Sequence, residues 1–158
     1  GFGRRHYVIA ALAALIIIAA FLFARVIPSA PPPPQLSSDA YPLYSGVAWT
    51  EAKAATMDIG GASLAGVEAA SEPVKDITDI ASVSGPFEAY YDDRLKQAGW
   101  SEDIQLAADG PGSSVRVFRK ENLYTVIRYE SAFKAGGENE PAQCPCDLTL
   151  FIFTGTEE

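Results

Sequence analysis

Histidine occurs once in these 158 residues, at His6, so nothing beyond that position carries an imidazole. Ser-His-Asp and Cys-His catalysis are thereby excluded from the bulk of the chain, because both set that base beside the nucleophile. Cysteine is almost as scarce. Cys144 and Cys146 are the whole supply, and a metal site built on them would need two further ligands that no histidine provides. The stretch Asp109-Gly110-Pro111-Gly112 lacks the lysine and spacing of a phosphate-binding loop and reads as a turn. Asp92-Asp93 and Ser101-Glu102-Asp103 offer carboxylates without the Asp-x-Asp-x-Asp-Gly spacing of a calcium loop, and read as a solvated face. No catalytic, cofactor-binding or metal-binding residue is expected from these patterns. Positive charge is also short, with 12 Lys and Arg against 20 Asp and Glu. Three of the 12, Arg4, Arg5 and Arg25, precede Pro28, which leaves residues 28–158 with a net charge of −11. That balance argues against nucleic acid and anionic lipid as partners of this part, since both need a basic surface.

What the chain does have is one long apolar run. Tyr7 to Ala24 contains no charged or amide side chain, and Val26 and Ile27 extend it past Arg25. At about 1.5 Å per residue a helix of this length comes to roughly 27 Å, close to the hydrocarbon thickness of a bilayer. Residues 1–27 are therefore expected to be a short stub and a transmembrane anchor, with residues 7–27 in the bilayer. Arg4, Arg5 and His6 outnumber Arg25, which places the N-terminus in the cytoplasm and the rest outside the plasma (inner) membrane. The alternative is a cleaved secretory signal. Residues 25–31 offer no good small-x-small site, and Pro31 directly follows Ala30.

Pro28 and Pro31 through Pro34 open a spacer, residues 28–40, that favours extended polyproline II. Residues 41–158 then have the size of one domain. Within it, Phe87, Tyr90, Tyr91, Leu95 and Ala98 recur at helical steps, so Pro86–Trp100 reads as a helix with Ser84 or Gly85 at its start and Gly99 at C′. Period-two alternation marks Ile104–Ala107, Val115–Lys120, Leu123–Tyr129 and Leu148–Phe153 as strands, with Glu121-Asn122 joining the middle pair as a hairpin. Gly46–Thr50 and Ser63–Ala69 read as weaker strands, and residues 74–83 are too mixed to assign. The fold class is α+β: an N-terminal transmembrane helix, a proline-rich linker, then a single main helix packed on an antiparallel sheet of four or five strands.

The pattern Phe87-x2-Tyr90-Tyr91-x3-Leu95-x3-Gly99-Trp100, followed by alternating strands, resembles bacterial envelope proteins, single-pass or lipoprotein-like, that carry a small α+β domain. The similarity covers about residues 87–153. It implies a fold and an envelope address but no activity, and this chain departs from the lipoprotein version in having no lipobox cysteine near its apolar run.

Cys144 and Cys146, one residue apart in an exported domain, are expected to form a local disulfide. Redox activity is the sharper alternative for this pair, although such sites usually hold Cys-x-x-Cys at a helix start. On the sheet, Leu123, Thr125, Ile127 and Tyr129 share one face and Tyr124, Val126, Arg128 and Glu130 the other. With one helix to cover one face, Tyr124, Val126 and Arg128 become the candidate contact surface for a protein partner in the envelope. These features together imply a non-catalytic binding or scaffolding module of the cell envelope, held by a single membrane span. A pilin-like or secretion-apparatus subunit is one alternative, since Gly1-Phe2 is similar to a pilin processing junction; Arg4 and Arg5 and the proline run speak against it. A small envelope hydrolase working through paired carboxylates is the other.

Overall fold

The structure, a computed structural model, describes residues 34–133 and 144–157. The expected stub and anchor, residues 1–27, and the linker up to Pro33 lie outside the described residues. Among those described, no helix is long and apolar enough to cross a membrane.

Among the described residues, eight strands and one helix follow in order: β1 (Lys53–Ile59), β2 (Ala62–Ala70), β3 (Val74–Ile77), α1 (Ala81–Gln97), β4 (Ser101–Glu102), β5 (Ala108–Gly110), β6 (Ser113–Lys120), β7 (Leu123–Phe133) and β8 (Cys146–Glu157). All pair antiparallel in one sheet of order β1-β2-β8-β7-β6-β4, with β3 alongside the start of β8 and β5 alongside the start of β6. The α+β class and the antiparallel sheet under one helix are as the sequence implied; the strands number eight rather than four or five. Ile104–Ala107 is not a strand but part of the β4–β5 loop, with Ile104 77% exposed. Gly46–Thr50 contributes a single bridge, Trp49 to Ser71. β1 had no counterpart in the sequence reading, yet the link Gly60-Gly61 between two alternating runs is a hairpin signal.

α1 begins five residues before Pro86. Asp79 starts it, taking the Ala81 N–H on its carboxylate at 3.0 Å and the Ser82 hydroxyl on its carbonyl at 2.7 Å. Pro86 costs one intrahelical bond, to Ser82, in the second turn, where tertiary packing of Ser84 and Phe87 outweighs it. The helix stops as the sequence implied: Gly99 takes φ +86°, Gly99 N–H bonds Lys96 O and Trp100 N–H bonds Leu95 O, the paired bonds of a Schellman end.

One face of the sheet packs under α1. Phe87, Tyr91 and Leu95 are fully buried against Phe118, Ile127, Leu148, Leu150 and Ile152. The opposite face was expected to be open, and it is not. Tyr124 and Val126 join Leu64, Val117 and Phe153 in a second buried cluster, flanked by Met57, Ile59 and Leu106. The cause is curl. The Gly60 turn at one sheet edge comes so near the loop at the other that a Cβ on Gly60 would collide with the Leu106 side chain, so the sheet closes over its own second face.

The compact unit starts at Pro34, not Tyr41. Residues 34–40, assigned above to the spacer, pack onto the domain, and Ala40 is fully buried.

Candidate functional site

The segment from Pro34 to Ala52 forms no helix or extended strand; up to Val47 it is held in place by other residues' side chains, and at Ala48 and Thr50 by main-chain bonds to Glu72 and Ala70. A turn forms first, with Ala40 and Tyr41 N–H bonding Ser37 O at 3.0 and 3.2 Å. Ser37 N–H reaches Thr154 Oγ1 at 3.2 Å. The Asp39 carboxylate accepts from Trp100 Nε1 at 3.0 Å and Lys120 Nζ at 3.4 Å. From α1, Arg94 donates through Nε to Asp39 O at 2.8 Å and through Nη2 to Tyr41 O, while the Tyr90 hydroxyl donates to Pro42 O at 2.8 Å. The Tyr91 hydroxyl accepts from Tyr44 N–H at 3.1 Å, and burial pushes this phenol up to about 12. Hydrogen bonding from Trp100, with help from Lys120 and Arg94 and against partial desolvation, holds the Asp39 carboxyl below the usual carboxylate range.

This arrangement leaves a groove of about 690 Å³ between residues 34–43 and residues 49–52. Leu36, Leu43 and Trp49 form apolar wall, Tyr41 stands 61% exposed at its side, and Glu51 is the charged group on the lining. Such a surface can bury an aliphatic or aromatic side chain against a tryptophan face. The lining contains no pair of groups spaced to move a proton.

A second polar assembly lies along the seam between α1 and β6. Arg116 donates to Glu102 Oε1 at 2.8 Å and to Asp92 Oδ1 at 2.6 Å, and Asp92 also takes Lys96 at 2.8 Å. Glu102 and then Asp92 hold the Arg116 guanidinium firmly protonated. Partial burial acts to raise the Asp92 carboxyl, but Lys96 and Arg116 outweigh it and hold it low. Glu88, one turn earlier on α1, moves the other way because desolvation exceeds the help of Ser114 and Arg116. Asp92 and Glu102, read from sequence as a solvated face, are thus drawn together by one half-buried arginine. No group of three or more His, Cys, Asp or Glu side chains among the described residues is placed to hold a metal ion.

Cys144 and Cys146 form a disulfide with Cα atoms 4.4 Å apart, Cys146 being buried at the first position of β8 opposite Phe133 and Ile77. Of the three candidate contact residues, Val126 is fully buried and Tyr124 is 6% exposed, both within the second core cluster. Arg128 is half-buried, its guanidinium 3.7 Å from the Phe151 ring centroid and paired with Glu68 and Glu130. Asp109-Gly110 forms β5, and Pro111-Gly112 turns into β6. The groove was missed from sequence. Its signal was the density of Tyr41, Leu43, Tyr44 and Trp49 directly after the prolines, three large rings and a leucine within nine residues.

No protein-family model, curated protein or solved structure matches this chain.

Proposed function

We propose that the protein is a single-pass membrane protein of the cell envelope, N-terminus cytoplasmic, whose outer domain binds a protein partner without catalysing a reaction. The apolar run 7–27 and the basic residues before it support the anchor and its direction. The net charge of −11 beyond Ile27 and the disulfide fit an exported, soluble domain. The observation that carries the binding role is the groove, where Tyr41 stands exposed beside Leu43 and Trp49 with no acid–base pair on its lining. Aromatic side chains around a shallow apolar hollow are the usual anchors of a protein interface.

Photo-crosslinking in native membranes tests it. A crosslinking amino acid at Tyr41 should yield one discrete protein adduct that is absent when the same group replaces Glu121 and lost when Trp49→Ala is added. No adduct at Tyr41, or equal adducts at both positions, refutes the binding role. Release of the full-length chain by alkaline carbonate refutes the anchor separately.

A further inference from the structure

Residues 34–47 make no main-chain hydrogen bond to any other part of the described fold. Their own main-chain bonds close only the Ser37 turn, and the first ladder contact comes at Ala48 and Thr50. Every polar attachment of this stretch is instead a side chain: Arg94, Tyr90 and Tyr91 from α1, Trp100 and Lys120 at Asp39, Thr154 at Ser37 and Trp49 at Tyr44. The hollows at this end of the molecule have the same stretch for a wall. One is the groove described above; the other, about 250 Å³, lies between Gln35 and Ser37, the middle of β2, the start of β7 and the end of β8, with Trp100 on its lining.

We propose that residues 34–44 are a detachable strap that opens as a unit while α1 and the sheet stay folded, with Arg94 as its catch. Segments bound without ladder bonds open at lower free energy than the sheet beneath them. Arg94 is the catch because one guanidinium grips two carbonyls, Asp39 O and Tyr41 O, on either side of the buried Ala40. Charge-assisted bonds of this kind are stronger than the neutral links that Tyr90 and Tyr91 make to the strap. Opening removes the wall that the two hollows share at Gln35 and exposes Trp100 together with Thr154 near the end of β8. The proposal concerns the domain alone and stands whether or not the chain is membrane-anchored.

Hydrogen exchange on the full chain, followed by fragment mass spectrometry, tests it. The strap amides of Ser37, Ala40, Tyr41 and Tyr44 should exchange at least a hundredfold faster than those of β7 and β8. Arg94→Ala should speed the strap at least tenfold further and leave β7 and β8 unchanged. Tyr90→Phe, which removes only the hydroxyl bonded to Pro42 O, should speed the strap several-fold with the same confinement, and it carries the comparison if Arg94→Ala does not fold. Exchange of the strap in step with β7 and β8, or acceleration of all of them together by either variant, overturns the proposal.

Discussion

Leu95→Ala set against Asp92→Ala separates the packed stripe of α1 from its polar flank. Leu95 is fully buried beside Phe87, Tyr91 and Trp100, on the face that meets Ile127 and Ile152. Truncation removes three carbon groups at about 0.8 kcal/mol each, about 2.4 kcal/mol of transfer free energy. The void then adds about 24 cal/mol for each Å³ that stays open. Rigid rings surround Leu95 and collapse little, so the total should be about 3 to 4 kcal/mol. On the solvated face that the sequence implies, removing Asp92 would cost under about 1 kcal/mol. The Arg116 contact at 2.6 Å, with both side chains 22% exposed, raises that to about 1 to 2 kcal/mol, while Glu102 keeps Arg116 from being stranded. Guanidinium titration of a fragment comprising residues 34–158, followed by fluorescence of Trp49 and Trp100, measures both. Equal losses at the two positions would falsify the packing of the stripe, and a loss near zero at Asp92 would detach the Arg116 network from stability.

Gly66→Ala should destabilise by about 1 to 3 kcal/mol, because the added Cβ meets Thr154 O and Gly155 Cα of the neighbouring strand, whereas Gly85→Ala, with open space around it in α1, should gain about 0.5 kcal/mol; thermal midpoints of the two decide it. Thr125 Oγ1 is buried without a hydrogen-bond partner, so Thr125→Val should raise stability by about 1 kcal/mol in the same titration, and a loss would mean that the hydroxyl is satisfied. Asp39 and Glu88 should show opposite pH signatures. The lowered Asp39 carboxyl stabilises fully above the usual carboxylate range and loses that contribution as pH falls through its depressed value, so Asp39→Asn weakens the fold at neutral pH and ceases to matter in strong acid. The raised Glu88 carboxyl is penalised while charged, so Glu88→Gln stabilises at neutral pH and its advantage shrinks toward about pH 4; stability curves of both variants that run parallel to wild type would refute the assignment.

Elements with local rules were legible in the sequence. The α1 stripe follows a period of 3.6, Gly99 marks its end, and Glu121-Asn122 joins β6 to β7 in the expected register, Lys120 opposite Leu123. Ile104–Ala107 alternates like a strand but has no partner, since β6 is already met on that side by β4 and β5, and alternation without a partner is only a loop. β1 lies at a sheet edge and carries only Met57 and Ile59 as large apolar side chains, too few to declare itself. The burial of Tyr124 and Val126 depends on sheet curl, which brings Gly60 to Leu106 across 46 positions of sequence and leaves no local trace. The groove was illegible for a related reason: it is defined by bonds such as Arg94 to Asp39, separated by 55 residues, which no window of sequence spans.

α1 organises the domain by giving a different task to each of its sides. Phe87, Tyr91 and Leu95, four residues apart, fill the core. Tyr90 and Arg94, also four apart, face residues 39–42 and hold the wall of the groove. Glu88 and Asp92, four apart again, face β6 and meet Ser114 and Arg116. Side chains four residues apart on a helix lie one above the other, so three such rows can carry three sets of contacts that share little besides the backbone. Effects at sites with no shared partners add, whereas contacting residues couple. Changes at Arg94 should therefore act on the groove without disturbing the Arg116 seam, and changes at Asp92 should do the reverse, which is the arrangement a binding surface needs if its wall is to yield while the sheet beneath it holds.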